Sequence, residues 1–204
     1  MSSKIYIPCG FRCFTKRKLK QLKVFQPSLP FDWGFFSTES IIKFLEKDTS
    51  ITLENTSPCI KTEKFQENGE TGVKFEESDY NIIDSHIEKQ GYDNQYLDST
   101  KGYYTLCKSY NFVLAHYNWH KSSPQYDGGS VEEINSLLQR RKVRLFNLIE
   151  KAEEVNLCLL HASQFLKIND KTYPTNPQLL VDYFQSRFKG KKINYLNLES
   201  IQTL

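Results

Sequence analysis

The sequence predicts an α/β fold: a single-domain sandwich in which a mixed central sheet is flanked by helices, with an irregular acidic insertion. Two patterns and the composition predict it. The chain begins with a strand pattern followed by a helix pattern, and it ends with strand, helix and strand. With 39% apolar and 25% charged residues among 204, the composition is that of one globular domain, residues 1–204.

The first quarter of the chain contains two helix patterns separated by a segment that cannot be regular. Residues 4–8 have a strand pattern, and the pair Cys9 and Gly10 predicts a turn after them. Apolar residues at helical spacing follow, and this first helix ends before the segment 27–34. Two prolines and a glycine exclude regular structure there, and a second helix is predicted to start near Ser37.

The middle of the chain differs from both ends in charge. Residues 49–100 carry 4 Lys and Arg against 11 Asp and Glu, whereas the flanking regions are basic. Residues 49–108 are therefore predicted to be an insertion or a subsheet of their own. Within them, the turn residues 68–72 lie between two short apolar runs, which predicts a hairpin.

The last part of the chain supplies most of the predicted sheet. Residues 110–116 have a strand pattern, and a long helix is expected over 131–152. The apolar run 155–160 is typical of a central strand. A helix that starts at a proline covers 177–188, and residues 193–198 form the last predicted strand.

Charge and cysteine content limit the classes of partner and compartment. A net charge of +3 is too small to predict nucleic-acid binding, and no apolar run is long enough for a membrane span. The N-terminus shows no leader pattern, which predicts a cytoplasmic protein with reduced thiols at its five cysteines. Cys9 and Cys13 have no second pair at zinc-ligand spacing, so no structural metal site is expected. The sequence contains no glycine-rich nucleotide-binding loop, and no cofactor is expected.

The junction between the first strand and the first helix carries the most informative side chain. Cys13 falls at the predicted helix N-terminus, where unpaired backbone N–H groups and the helix dipole favour a thiolate. Arg12 adds positive potential at the same place, and Gly10 allows a tight turn. These are the conditions that a nucleophilic cysteine needs, although such a cysteine is more often a packing residue. The remaining basic side chains of this helix are expected to be solvated.

A cysteine nucleophile needs a base and a group that orients the base. His116 ends a predicted strand and is the first candidate base, and His161, which ends another, is the second. Asp32 and Asn118 are candidates for the orienting group. Burial of Asp32 in its loop of aromatic and proline residues would raise its pKa. The alternative role of Asp32 is structural: it caps the helix that starts near residue 38, or it accepts hydrogen bonds from amides of its own loop.

Two blocks of sequence resemble a known family. Gly10-Phe11-Arg12-Cys13, a basic helix and Pro30-Phe31-Asp32-Trp33 are similar to the opening of bacterial and viral proteins described as papain-like cysteine peptidases. That family continues with a strand ending in His and a helix rich in arginine, similar to His116-Tyr117-Asn118 and residues 140–146 here. The resemblance implies Cys13 as nucleophile, His116 as base and Asp32 as polar partner. The family usually has Asp directly after its His, where this chain has Tyr117, and Asn118 is the polar residue nearest to that position.

A second set of residues favours a different class of protein. Arg140 and Arg144 share one helix face at i, i+4 and could bind a phosphate or carboxylate; their alternative is pairing with acidic neighbours. Trp33, Trp119 and Tyr117 could stack on a sugar. These residues point to a sugar-nucleotide-dependent glycosyltransferase or a carbohydrate-binding α/β domain.

Three hypotheses follow. The first is a thiol hydrolase or acyl-transfer enzyme acting on a peptide, amide or glycan substrate through Cys13 and His116. The second is the glycosyltransferase or carbohydrate-binding domain. The third is an inactive descendant that serves as an interaction domain.

Overall fold

The computed structural model describes residues 3–11, 14–48, 50–67, 70–78, 104–115, 130–160 and 163–203. In these ranges the chain forms four α-helices, one 3₁₀ helix and ten strands, and the strands divide between two sheets. The α/β class and the mixed sheet are confirmed. The sequence predicted one central sheet, whereas the first, seventh and tenth strands form a separate sheet.

The smaller sheet has three parallel strands. They are β1 (Lys4–Pro8), β7 (Glu154–Leu159) and β10 (Lys192–Asn197), with β7 in the middle. Ile5 pairs with Val155, which in turn pairs with Ile193. All three side chains are buried, as expected where parallel strands are covered on both faces.

The larger sheet has seven strands in the order β2-β6-β5-β3-β4-β8-β9. All of its neighbouring strands are antiparallel except β4 and β8. The strands are β2 (Gly34–Phe35), β3 (Thr56–Glu67), β4 (Glu70–Glu77), β5 (Tyr104–Cys107), β6 (Phe112–Ala115), β8 (Ser163–Ile168) and β9 (Lys171–Pro174).

The acidic middle segment belongs to this larger sheet. Its described parts form β3, β4 and β5, and the predicted hairpin is confirmed, with Glu67 opposite Glu70. β5 pairs with β6 and β4 pairs with β8, so strands from outside the segment complete the sheet. The β8–β9 hairpin was not predicted, because residues 163–174 carry few apolar residues in alternation.

Polar caps fix the starts of three helices. Ser37 accepts a hydrogen bond from the Ser40 amide at the start of α2 (Thr38–Glu46). Ser130 and Glu133 form a capping box on α3 (Val131–Lys151), and Asn176 caps α4 (Pro177–Arg187). The first helix, α1, spans Phe14–Gln21, and a 3₁₀ helix spans Pro30–Trp33. No helix in the described ranges combines the length and apolar character needed to cross a bilayer.

The main hydrophobic core connects the two sheets. It joins Ile7 and Leu157 of the smaller sheet to Phe112 and Leu114 of the larger one, with the apolar faces of α2, α3 and α4 packed around them. A second cluster, built around Phe35, Phe75 and Tyr104, lies within the larger sheet. Both sheets therefore share one continuous core.

Candidate functional site

Several residues predicted to form the site lie outside the described residues. The structure describes Asp32, Arg140 and Arg144 with their side chains, and Trp33 through its backbone. Outside the described residues lie Arg12, Cys13, His116, Tyr117, Asn118, Trp119, His120 and His161. The site is therefore built from the described residues that precede and follow them.

The turn after β1 requires a glycine. Gly10 has a φ of +104°, and a Cβ there would lie 2.1 Å from Oε1 of Gln164 and 2.7 Å from Cδ2 of Leu159. The Gly10 carbonyl accepts a hydrogen bond from the Phe36 amide at 3.1 Å. The turn that leads to Cys13 is thus held closely by both sheets.

The residues that contact Gly10 lie on either side of His161 in the chain. Leu159 ends β7 and Gln164 is the second residue of β8. Gln164 is buried, and its Oε1 has no hydrogen-bond partner among the described residues. The sequence did not predict a role for Gln164, since only the register of β8 reveals that it packs on the turn at Gly10.

Two other described segments lead toward predicted catalytic residues. Phe11, which precedes Cys13 by two positions, forms an antiparallel bridge with Phe35 of β2. On its other side Phe35 pairs antiparallel with Val113, and this strand, β6, ends one residue before His116. Both segments therefore run toward the start of β2, where the 3₁₀ helix ends.

Asp32, in that 3₁₀ helix, is tied to the first turn of α1. Its Oδ2 accepts a hydrogen bond from the Leu29 amide at 3.0 Å and lies 3.4 Å from the Lys16 ammonium. Lys16 also donates to the carbonyls of Gln26 and Pro27, each at 3.0 Å. The expectation that Asp32 bonds an amide of its own loop is confirmed, whereas Ser37, not Asp32, caps α2.

Lys16 departs from the prediction of a solvated basic helix face. It is 8% exposed and shares the buried side of α1 with Thr15 and Leu19. These three positions are spaced as one helix face, so helical periodicity could have predicted its burial. Its three hydrogen-bond or ion-pair partners compensate for the loss of water around the ammonium.

Only one of the two Asp32 carboxylate oxygens accepts a hydrogen bond from the described residues. The residue is 1% exposed, and its Oδ1 has no hydrogen-bond partner among the described residues. Burial raises the pKa of Asp32 above its ordinary value, although Lys16, the Leu29 amide and Arg141 act in the opposite direction. A buried acceptor of this kind can orient a nearby N–H donor.

The two arginines of α3 that were predicted to bind a ligand have different surroundings. Arg144 is half-buried and donates a hydrogen bond through Nη1 to the Ser28 carbonyl at 2.8 Å. Arg140 is exposed. Glu133, an acidic neighbour on the same helix, accepts a hydrogen bond from the Ser130 backbone amide. Arg144 therefore holds the loop that leads into the 3₁₀ helix.

Four of the five cysteines are buried, free thiols. Burial raises the pKa of Cys9 to about 12 and raises the pKa values of Cys59, Cys107 and Cys158 well above the ordinary thiol value. Cys107 and Cys158 lie inside apolar runs of the sequence and pack as small hydrophobic residues. Thiol chemistry at neutral pH is thereby disfavoured at these four positions.

A cavity of about 480 Å³ lies between α2 and α3. Phe44, Tyr110 and Lys142 contribute to its lining. The Lys142 ammonium donates to the Lys47 carbonyl at 2.9 Å and to Asp48 at 2.8 Å. These contacts connect the end of α2 to α3. They also compensate for the burial of the Lys142 charge.

Within the described ranges, no group of three or more His, Cys, Asp or Glu residues is arranged to hold a metal ion. No family model, no curated protein and no solved structure matches this chain.

Proposed function

We propose that the protein is a thiol hydrolase or acyl-transfer enzyme of the papain-like type, with Cys13 as its nucleophile. One observation carries the proposal: the described segments next to Cys13, His116 and His161 meet around Gly10 and β2. Asp32 lies at the same place, bound to the first turn of the helix that begins one residue after Cys13.

In the proposed reaction, the Cys13 thiolate attacks a carbonyl carbon of the substrate. His116 accepts the thiol proton and later delivers it to the leaving group, and His161 is the alternative base. Oδ1 of Asp32 accepts a hydrogen bond from the imidazole and fixes its tautomer, with Asn118 as the second candidate for this role. Water or another nucleophile then cleaves the thioester and regenerates the thiol.

The substrate class follows from this chemistry. A peptide, an amide or an acylated glycan supplies the carbonyl, with Arg12, Trp33 and Trp119 as candidate binding residues. We place the protein in the cytoplasm, since four buried free thiols suit a reducing compartment. The glycosyltransferase alternative gains no support from Arg144, whose Nη1 is bonded to a backbone carbonyl.

Alkylation kinetics test the proposal, because the other four thiols are buried and have raised pKa values. Iodoacetamide should modify native protein at Cys13 alone. The rate should stay high from about pH 6 upward, whereas an ordinary thiol with a pKa of about 8.5 slows about ten-fold per pH unit below that value. Mass spectrometry of the modified peptide gives both the site and the rate.

Matched variants identify the base. His116→Ala or His161→Ala should return Cys13 to ordinary thiol behaviour, and Asp32→Asn should slow the reaction in part; His120→Ala is the control. A Cys13 rate that follows an ordinary thiol pKa in the parent protein, and that neither histidine variant changes, would contradict the proposal. Thermal stabilisation by UDP- or GDP-sugars without thiol reactivity would favour the transferase alternative.

A further inference from the structure

The exposed face of α1 is basic, and the described part of the chain supplies no acidic partner for it. Arg17 and Lys20 are exposed, Lys18 is half-buried and Lys23 follows the helix as an exposed residue. None of these four cations forms an ion pair with the described residues. The first 31 residues contain no Asp or Glu. We call these four residues, together with Phe25, the basic face.

The turn that ends α1 holds Lys23 in an unusual conformation. Its φ is 60°, in the left-handed region where glycine is favoured. The Val24 amide donates to the Leu19 carbonyl at 2.9 Å and the Lys23 amide to the Lys20 carbonyl at 3.0 Å, which together form a Schellman motif. A positive charge thus occupies a position where glycine is common and would cause less strain.

Phe25 is exposed, and contacts of its neighbours hold the backbone on both sides of it. Its exposed fraction is 81%, the largest among the exposed apolar residues of the described chain. On one side Val24 packs against Leu19. On the other, the Gln26 side chain bonds both the N–H and the C=O of Tyr6. The ring therefore stays exposed, two residues after Lys23 in the chain.

An exposed aromatic ring, close in sequence to several cations that form no ion pair with the described residues, fits one kind of surface. Lys and Arg are attracted to anionic lipid headgroups, and a projecting Phe gains free energy by entering the boundary between headgroups and acyl chains. A purely ionic partner, such as an acidic polypeptide or a nucleic acid, would draw on the cations without requiring this apolar contact. We propose that the basic face binds the surface of anionic phospholipid membranes, with Phe25 inserted.

Co-sedimentation of the full chain with vesicles tests this proposal. Phosphatidylcholine vesicles that contain phosphatidylserine should bind the protein, and phosphatidylcholine alone should not. Lys20→Gln and Lys23→Gln should each lower the partition coefficient about five-fold, and Phe25→Ser about ten-fold. Added salt should weaken binding of the parent.

Control variants separate this contact from folding and from thiol chemistry. Lys189→Gln and Leu179→Ser change exposed residues elsewhere and should leave vesicle binding unchanged. Lys23→Gly should weaken binding while the melting temperature stays the same or rises, because glycine suits the left-handed turn. Every variant keeps Cys13, and its alkylation rate should match that of the parent.

Three outcomes would overturn the proposal. The first is equal binding of the parent to neutral and anionic vesicles. The second is that the lysine variants lose vesicle binding whereas Phe25→Ser keeps it. The third is that polyglutamate or RNA displaces the protein from vesicles and binds the parent and Phe25→Ser equally well. The last two would assign the cations to a purely ionic partner.

Discussion

Lys16 is buried without being isolated. Its ammonium reaches two backbone carbonyls and the Asp32 carboxylate, so each of its three protons has a partner. The pair connects α1 to the loop that contains Asp32. A buried pair of this kind adds little net stability over an apolar pair, but removing one partner is costly because the other is left charged and buried.

Replacing Lys16 should therefore destabilise the protein in a pH-dependent way. In Lys16→Met the Asp32 carboxylate loses its closest cation, and its already raised pKa should rise further. We expect a loss of about 3 kcal/mol in the free energy of unfolding near pH 7.5. The loss should be smaller near pH 5, where more Asp32 is protonated in the variant. Urea denaturation at both pH values measures it.

The sign of this effect follows from proton binding. An acid whose pKa is raised by folding binds its proton more tightly in the folded state, so its contribution to stability is complete below the unfolded pKa of about 3.9. That contribution is lost as the pH rises through the folded-state pKa. Adding Asp32→Asn to Lys16→Met should remove the pH dependence. An equal loss at both pH values in the single variant would contradict this account.

At the scale of elements, a side chain closes an open sheet edge. β1 is an outer strand of the smaller sheet, and the Gln26 amide group bonds the backbone N–H and C=O of Tyr6 as a neighbouring strand would. The backbone carbonyl of Gln26 also accepts a hydrogen bond from the Lys16 ammonium. Gln26 therefore fixes the segment after α1 to the sheet and keeps the edge from pairing with another chain.

Gln26→Ala should free this edge. The loss of two hydrogen bonds to Tyr6 should lower the free energy of unfolding by about 1 to 3 kcal/mol. The Tyr6 amide should exchange with solvent hydrogen much faster, whereas the Ile5 and Ile7 amides should change less. Gln178→Ala, which removes an exposed side-chain contact with Asp182, is the control. Unchanged exchange at Tyr6 would show that the edge does not depend on Gln26.

The elements that the sequence predicted are those with a strong local signal. The turn at Gly10, the helix from residue 131 and the central strand from 155 follow from glycine, apolar periodicity and an apolar run. The separation into two sheets could not be predicted, because it depends on pairings such as that of β4 with β8, far apart in the chain. The ion pair of Asp32 with Lys16 and the packing of Gln164 on Gly10 could not be predicted for the same reason, since burial and register are tertiary properties.

At the scale of the molecule, the two sheets are connected at several points. Gly10 packs against Leu159 of the smaller sheet and Gln164 of the larger one, and Phe11 bridges to Phe35. The main core contains residues of both sheets. Neither sheet can therefore open without exposing apolar surface of the other, which predicts a single cooperative unfolding transition.

The buried cysteines report on each sheet separately. Cys9 and Cys158 lie at the smaller sheet, and Cys59 and Cys107 lie in the larger one. In brief alkylation pulses at increasing urea concentration, both pairs should become reactive at the same midpoint, because the shared core couples them. That midpoint should agree with loss of helical circular dichroism. If one pair reacts at clearly lower urea than the other, the sheets unfold as separate units and the core does not couple them.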